Sequence, residues 1–246
     1  MIAHPVTAHR QTRHLSDGRS EPGSWHWPDR DAVQVYARLF LVIAVLFVAG
    51  YGGANWLAGH RESPLRLYLQ AELAIPFVPE MIWVYLSINL LFALPLFRLR
   101  TQELTLLGRR MIVTTVIAVA FFLLAPTALG FARQPAGSDL ASVYQLLYVL
   151  DAPYNCAPSL HVAYASQIIL ALAHRGPYRL RAALALWLLL IMASTVLTHQ
   201  HHLLDLAGGL LLTASTRLAT ARRGEGAGGA LLRPRRMVSH AAGADR

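Results

Sequence analysis

Lysine is missing altogether: all 22 basic residues are arginines. Charge of either sign is scarce, at 14% of the 246 residues, against about 25% in an ordinary soluble domain. With 55% of residues hydrophobic, that deficit places the chain in the membrane class before any motif is read. Cysteine occurs once, at Cys156, which excludes an intramolecular disulfide and a cysteine-based zinc site. It also excludes a thiol phosphatase of the Cys-x5-Arg kind, because Val162 stands where the arginine would be. No internal repeat of the roughly 20–50-residue solenoid kind is present. The formal charge of +9 would suit nucleic acid, but the arginines flank apolar spans instead of lining one soluble face. The charge therefore reads as membrane topology, and no nucleic-acid partner is expected.

What the chain does have is long apolar runs. Residues 1–32 are polar, without the short apolar core and cleavage site of a signal peptide, and read as a flexible tail. A six-helix membrane domain is expected over 33–218, with spans near 35–57, 77–97, 111–131, 159–173, 182–198 and 202–218. The first three approach the roughly 20 residues that cross the hydrocarbon core as a helix. Between the third and fourth lies a wet connection. Residues 219–246, rich in Gly, Ala and Arg, read as a second flexible tail. The fold class is all-α: a polytopic membrane bundle of about six transmembrane helices.

Arginine placement orients it. With a cytoplasmic N-terminus, the inner segments hold Arg10, Arg13, Arg19, Arg30 and Arg38, then Arg98, Arg100, Arg109 and Arg110, then Arg175, Arg179 and Arg181, and the C-terminal tail. The outer side keeps only Arg61, Arg66 and Arg133. This asymmetry predicts a multi-pass protein of the cytoplasmic (plasma) membrane with both termini inside.

Ionisable groups within membrane spans mark function by default, and the later spans hold few: His161, the group His199, His201 and His202, and Asp205. The expected topology puts all of them at the outer face. The first element is Asn155-Cys156-Ala157-Pro158-Ser159-Leu160-His161. Pro158 suits the first helical position, so the N–H groups of Ser159, Leu160 and His161 would form an anion site at a helix N-terminus. The Ser159 hydroxyl would add a donor, and His161 could exchange a proton with a phosphate ester. Its bland reading is a polar helix cap. In the second element, His201 and Asp205 are four apart and would share one helix face. The carboxylate would hold one imidazole nitrogen as N–H and leave the other as a nucleophile. Ser194, Thr198, His201 and Asp205 would make one polar stripe, with His202 pointing off it towards the membrane interface.

Together these residues resemble the type 2 phosphatidic acid phosphatase superfamily. Its second motif, Pro-Ser-x-His, matches Pro158 to His161; its third, Ser-Arg-x5-His-x3-Asp, matches Ser194 through His201 to Asp205. The wording PSLHVA and QHHLLD is closest to the branch of inositol phosphorylceramide synthase-like proteins, and the likeness extends more weakly over 51–212. The chain departs from the family in two places. Lys-x6-Arg-Pro is absent, its nearest counterpart being Ala132-Arg133-Gln134-Pro135, and Thr195 replaces the arginine of the third motif. His199 stands where that branch often has a lysine.

The resemblance implies attack on phosphorus by His201, oriented by Asp205, with His161 protonating the leaving alkoxide and then deprotonating the acceptor. Arg133, Ser159 and His199 would bind the phosphate. No metal or cofactor is required; the partners are a lipid phosphate and the surrounding lipids. Water is favoured as acceptor, with an alcohol as rival. Three competitors stand beside this reading. A di-iron oxidase could use His199, His201 and His202 as a histidine box, although such enzymes need several boxes. A serine hydrolase could use Ser159. A non-catalytic lipid-binding member of the same fold could have arisen by loss of the cations.

Overall fold

A computed structural model describes residues 24–61, 64–151 and 153–231, with side chains to 221. The described residues form seven main helices and no strand: α1 (Arg30–Ala58), α2 (Pro79–Phe97), α3 (Thr101–Leu124), α4 (Ala141–Leu150), α5 (Leu160–Ala173), α6 (Tyr178–Leu197) and α7 (Leu203–Leu231). Among the described residues, α1, α2, α3 and α6 are long and apolar enough to cross a membrane. The chain is a polytopic helical bundle. The other two expected spans differ for physical reasons. α5 has 14 residues and is buried nearly throughout, so its length is set by its neighbours, not by lipid. α7 carries Asp205, small residues and threonines, and continues beyond the expected end at 218 to Leu231.

Asp29 caps α1, its carboxylate accepting the Ala32 N–H at 2.7 Å. Phe40, Leu41, Val45 and Val48 on that helix are exposed, an apolar surface that suits lipid rather than water. α2 breaks at Ser87, whose hydroxyl donates to the Val84 carbonyl (2.6 Å) and accepts from the Trp187 indole (2.9 Å). Such side chains satisfy the backbone that a break frees inside a membrane. α3 starts ten residues before the expected 111, where the Arg100 N–H meets the Glu103 carboxylate at 3.0 Å. It stops at Leu124 because Pro126 disfavours helix at the residue before it. The expected wet connection contains α4, whose Tyr144 is buried against Ile82 and Tyr85.

α5 is the hub, packed on α2, α3, α6 and α7. Thr115 and Tyr164 hydroxyls join α3 to α5 at 2.6 Å, and Thr213 donates from α7 to the Ala163 carbonyl at 3.1 Å. A Cβ on Gly209 would lie 2.6 Å from the Ser159 carbonyl. Only glycine therefore lets the start of α7 approach the start of α5 so closely. That approach brings the two motifs together.

Candidate active site

Ser159 is the N-cap of α5, its hydroxyl accepting the Val162 N–H at 3.3 Å. Pro158 therefore precedes the cap, not the first helical position as expected. The Ser159 N–H donates to the Asp205 carbonyl at 3.0 Å, and Ser159 is fully buried, lining neither cavity described below. Ser159 thus forms a joint between the two motifs.

His161, in the first turn, stacks on Tyr85 with ring centroids 4.1 Å apart and places Nε2 3.0 Å from the Tyr85 carbonyl. A carbonyl only accepts, so Nε2 carries the proton and Nδ1 keeps the free lone pair. His201 is not on a helix. α6 ends at Leu197, His199 takes a left-handed φ of 55°, and the Thr195 carbonyl holds the turn by accepting from Gln200 and His201 N–H (2.9 and 3.0 Å). The expected stripe is thus broken: Ser194 and Thr198 hydroxyls donate to backbone carbonyls of α6. Asp205 still reaches His201 by folding back over the N-terminus of α7. Its Oδ2 accepts the His202 N–H at 2.8 Å and lies 3.4 Å from His201 Nδ1. An ionised carboxylate fixes the proton on Nδ1 and leaves Nε2 as the nucleophilic nitrogen.

His161 and His201 line one cavity of about 590 Å³, whose polar end also holds Tyr51, Tyr85, Asp151 and Asn155. A small second cavity shares Tyr51, Asp151 and His201 and adds Arg133 and Gln200. Arg133 donates to the carbonyls of Tyr148 (2.7 Å) and Asp151, with its guanidinium 4.6 Å from the Tyr148 ring. These carbonyls end α4, where a cation is favourable. The structure therefore joins His161, His201, Asp205 and Arg133 at one end of the bundle.

His199 is not joined to them. Its Nε2 lies 3.0 Å from the Ile75 carbonyl, its ring stacks on Phe131 at 4.0 Å, and it lines neither cavity. Burial lowers its pKa below the ordinary histidine value against the opposing pull of the Ile75 carbonyl. His202 is held from both sides. The Gly130 N–H donates to Nε2 at 3.0 Å, which leaves Nδ1 to donate to Glu72 at 3.2 Å, between the rings of Tyr68 and Phe131. Glu72 also accepts the N–H groups of Leu69 and Leu203. Among the described residues, His, Cys, Asp and Glu form no group of three that could hold a metal ion.

Four residues of the cavity escaped the sequence reading. Asp151 receives the hydroxyls of Tyr51 and, at 3.4 Å, Tyr85. Asn155 is buried with neither amide atom partnered among the described residues, on a left-handed backbone (φ 61°) that asparagine tolerates. An acid ending a short apolar run was the available signal for Asp151.

A model of the PAP2 superfamily matches residues 54–218. The chain belongs to the PAP2 superfamily. No curated protein and no solved structure matches it significantly. Both histidine motifs of this PAP2 protein fall inside the matched range, and so does Arg133. Membership supports a membrane protein with phosphatase- or phosphotransferase-type chemistry.

Proposed function

We propose that this PAP2 protein is a lipid phosphatase that hydrolyses a phosphomonoester or diphosphate through a phosphohistidine. One observation carries the reading. Two histidines far apart in sequence line one cavity, each with one nitrogen engaged by the protein and the other without a partner among the described residues. His201 Nε2 attacks phosphorus; the P–N bond forms as the P–O bond to the lipid breaks. Asp205 stabilises the imidazolium through Nδ1. His161, protonated at Nδ1, gives that proton to the leaving alkoxide while Nε2–H stays on the Tyr85 carbonyl. Water then attacks phosphorus, its proton passes to His161 Nδ1, and the P–N bond breaks to release orthophosphate. Arg133 supplies positive charge beside the phosphate oxygens. The arginine distribution supports a site on the outer face of the plasma membrane, with both termini inside.

A second reading replaces water by an alcohol, as in headgroup transfer of the inositol phosphorylceramide synthase kind. Asp151 and the Asn155 amide, which has no partner among the described residues, favour it, because a carboxylate and an amide suit a hydroxyl group. The test is phosphate release from a panel of lipid phosphates by the detergent-purified protein, with and without EDTA, beside His201→Ala. Chelator-resistant release that vanishes in the variant supports hydrolysis. Full activity in the variant rules out the histidine scheme. Transfer to an added polyol at the expense of phosphate release selects the second reading.

A further inference from the structure

The cavity does not end at the histidines. From its polar end it continues as an apolar groove between Phe40, Ala44 and Phe47 of α1 and Phe92 and Ala93 of α2, with Leu150 of α4 at its rim. Phe40 and Leu150 are 49% and 70% exposed, so the groove opens sideways where the bilayer would lie. Its floor is closed by the Tyr36 hydroxyl, which donates to the Phe92 carbonyl at 2.9 Å. A separate apolar void of about 40 Å³ adjoins the groove and shares Tyr36, Phe40, Ile43 and Phe92 with it.

We infer that this groove takes one hydrocarbon chain of the lipid phosphate and measures its length. The inference rests on reading the histidine end as the phosphate site. The dimensions support it. Tyr51 to Tyr36 is fifteen residues of helix, about 22 Å at 1.5 Å per residue, and one leaflet of the hydrocarbon core is about 15 Å deep. A volume of about 590 Å³, part of it taken by the phosphate at the polar end, suits one long chain and not the two of a whole diacyl lipid. A second chain, where a lipid has one, stays in the bilayer. With the phosphate at His201, the chain runs along α1 to Tyr36, and the Tyr36–Phe92 contact sets the longest chain that fits.

The test is binding of octyl, dodecyl, hexadecyl and eicosyl phosphonates to the full chain in detergent. Phosphonates resist hydrolysis, so binding is read apart from turnover. Measured against monomeric ligand below its micelle concentration, affinity should rise by up to roughly fifteenfold for each added pair of methylenes, then level off near hexadecyl. Ala44→Trp, which fills the middle of the groove, should flatten the series so that hexadecyl binds no better than octyl. Tyr36→Ala, which joins the groove to the adjoining void, should move the plateau to eicosyl; misfolding cannot produce that gain. Leu41→Trp, on an exposed part of α1, should leave the series unaltered. A series without length dependence in the unsubstituted protein, or one unchanged by both Ala44→Trp and Tyr36→Ala, overturns the proposal. Absence of phosphate release from lipid phosphates would instead count against the phosphatase reading and leave this result standing.

Discussion

Two pairs of histidines sit at the same end of the bundle and are built for opposite ends. His161 and His201 each have one nitrogen engaged and line one cavity. His199 and His202 flank the Phe131 ring, and His202 has both nitrogens engaged. His201 and His202 are adjacent in sequence, yet one lines both cavities and the other knits three connecting segments. Position in the chain does not separate them. Between these two the partner on the second nitrogen does, because a ring committed on both sides can neither attack phosphorus nor carry a proton. His199, whose Nδ1 has no partner among the described residues, is set apart by lying on neither cavity.

The largest effect that could break this division is at His201. His201→Ala should lower phosphate release on the order of 10⁴-fold, because a nucleophile leaves little residual activity when removed. His202→Ala should lower the melting midpoint in detergent far more than His201→Ala does. Reversal of these two phenotypes would exchange the roles of the pairs. His161→Asn comes next, at roughly 10²- to 10⁴-fold for a lipid phosphate. Its loss should shrink markedly with p-nitrophenyl phosphate, whose leaving group needs no proton. An equal loss on both substrates would show that His161 holds the substrate and does not protonate it.

Much of this was legible in the sequence because membranes make polar residues conspicuous. His161, His201 and Asp205 stood out against apolar spans, and the structure brings them together at one end of the bundle. How they meet was not legible. The spacing of His201 and Asp205 suggested a shared helix face, whereas the contact comes from a turn at 198–202 and a carboxylate folding back over a helix start. Helix periodicity carries no information across such a turn. α4 was missed because ten residues are too few to read as a span. Glu72 and Asp151 were missed because their side-chain partners, His202, Tyr51 and Tyr85, are more than sixty residues away along the chain.

The Glu72–His202 clamp gives a pH-dependent prediction. Burial pushes the Glu72 carboxyl up, but the N–H groups of Leu69 and Leu203 and the His202 ring outweigh it, and its pKa lies below the usual value. A carboxylate depressed on folding contributes stability above its unfolded pKa of about 4.3, and loses it as pH falls through the folded value. Glu72→Gln should therefore lower stability near neutral pH by about 1–3 kcal/mol. The gap to the unsubstituted protein should close below about pH 4. Melting midpoints of the two proteins across pH read this directly, and a gap independent of pH would mean that the carboxylate charge contributes nothing.

The smallest effect sharpens the comparison most, because here the sequence and the geometry disagree. The resemblance assigns His199 to the phosphate, in a position where related chains often carry lysine. The structure gives it a stacked ring, one bond to the Ile75 carbonyl and no place on either cavity. His199→Phe keeps an aromatic ring against Phe131 and deletes that bond, a loss of about 1 kcal/mol, with some added backbone strain at φ 55°. Turnover should stay within about threefold, far less than removal of a preorganised charge contact at phosphorus, which lowers rate on the order of 10²-fold or more. A drop of that larger size with an unchanged melting midpoint would put a cation on the phosphate at His199. The histidines would then divide three to one, and the turn at 198–202 would have to reach the substrate with two rings rather than one.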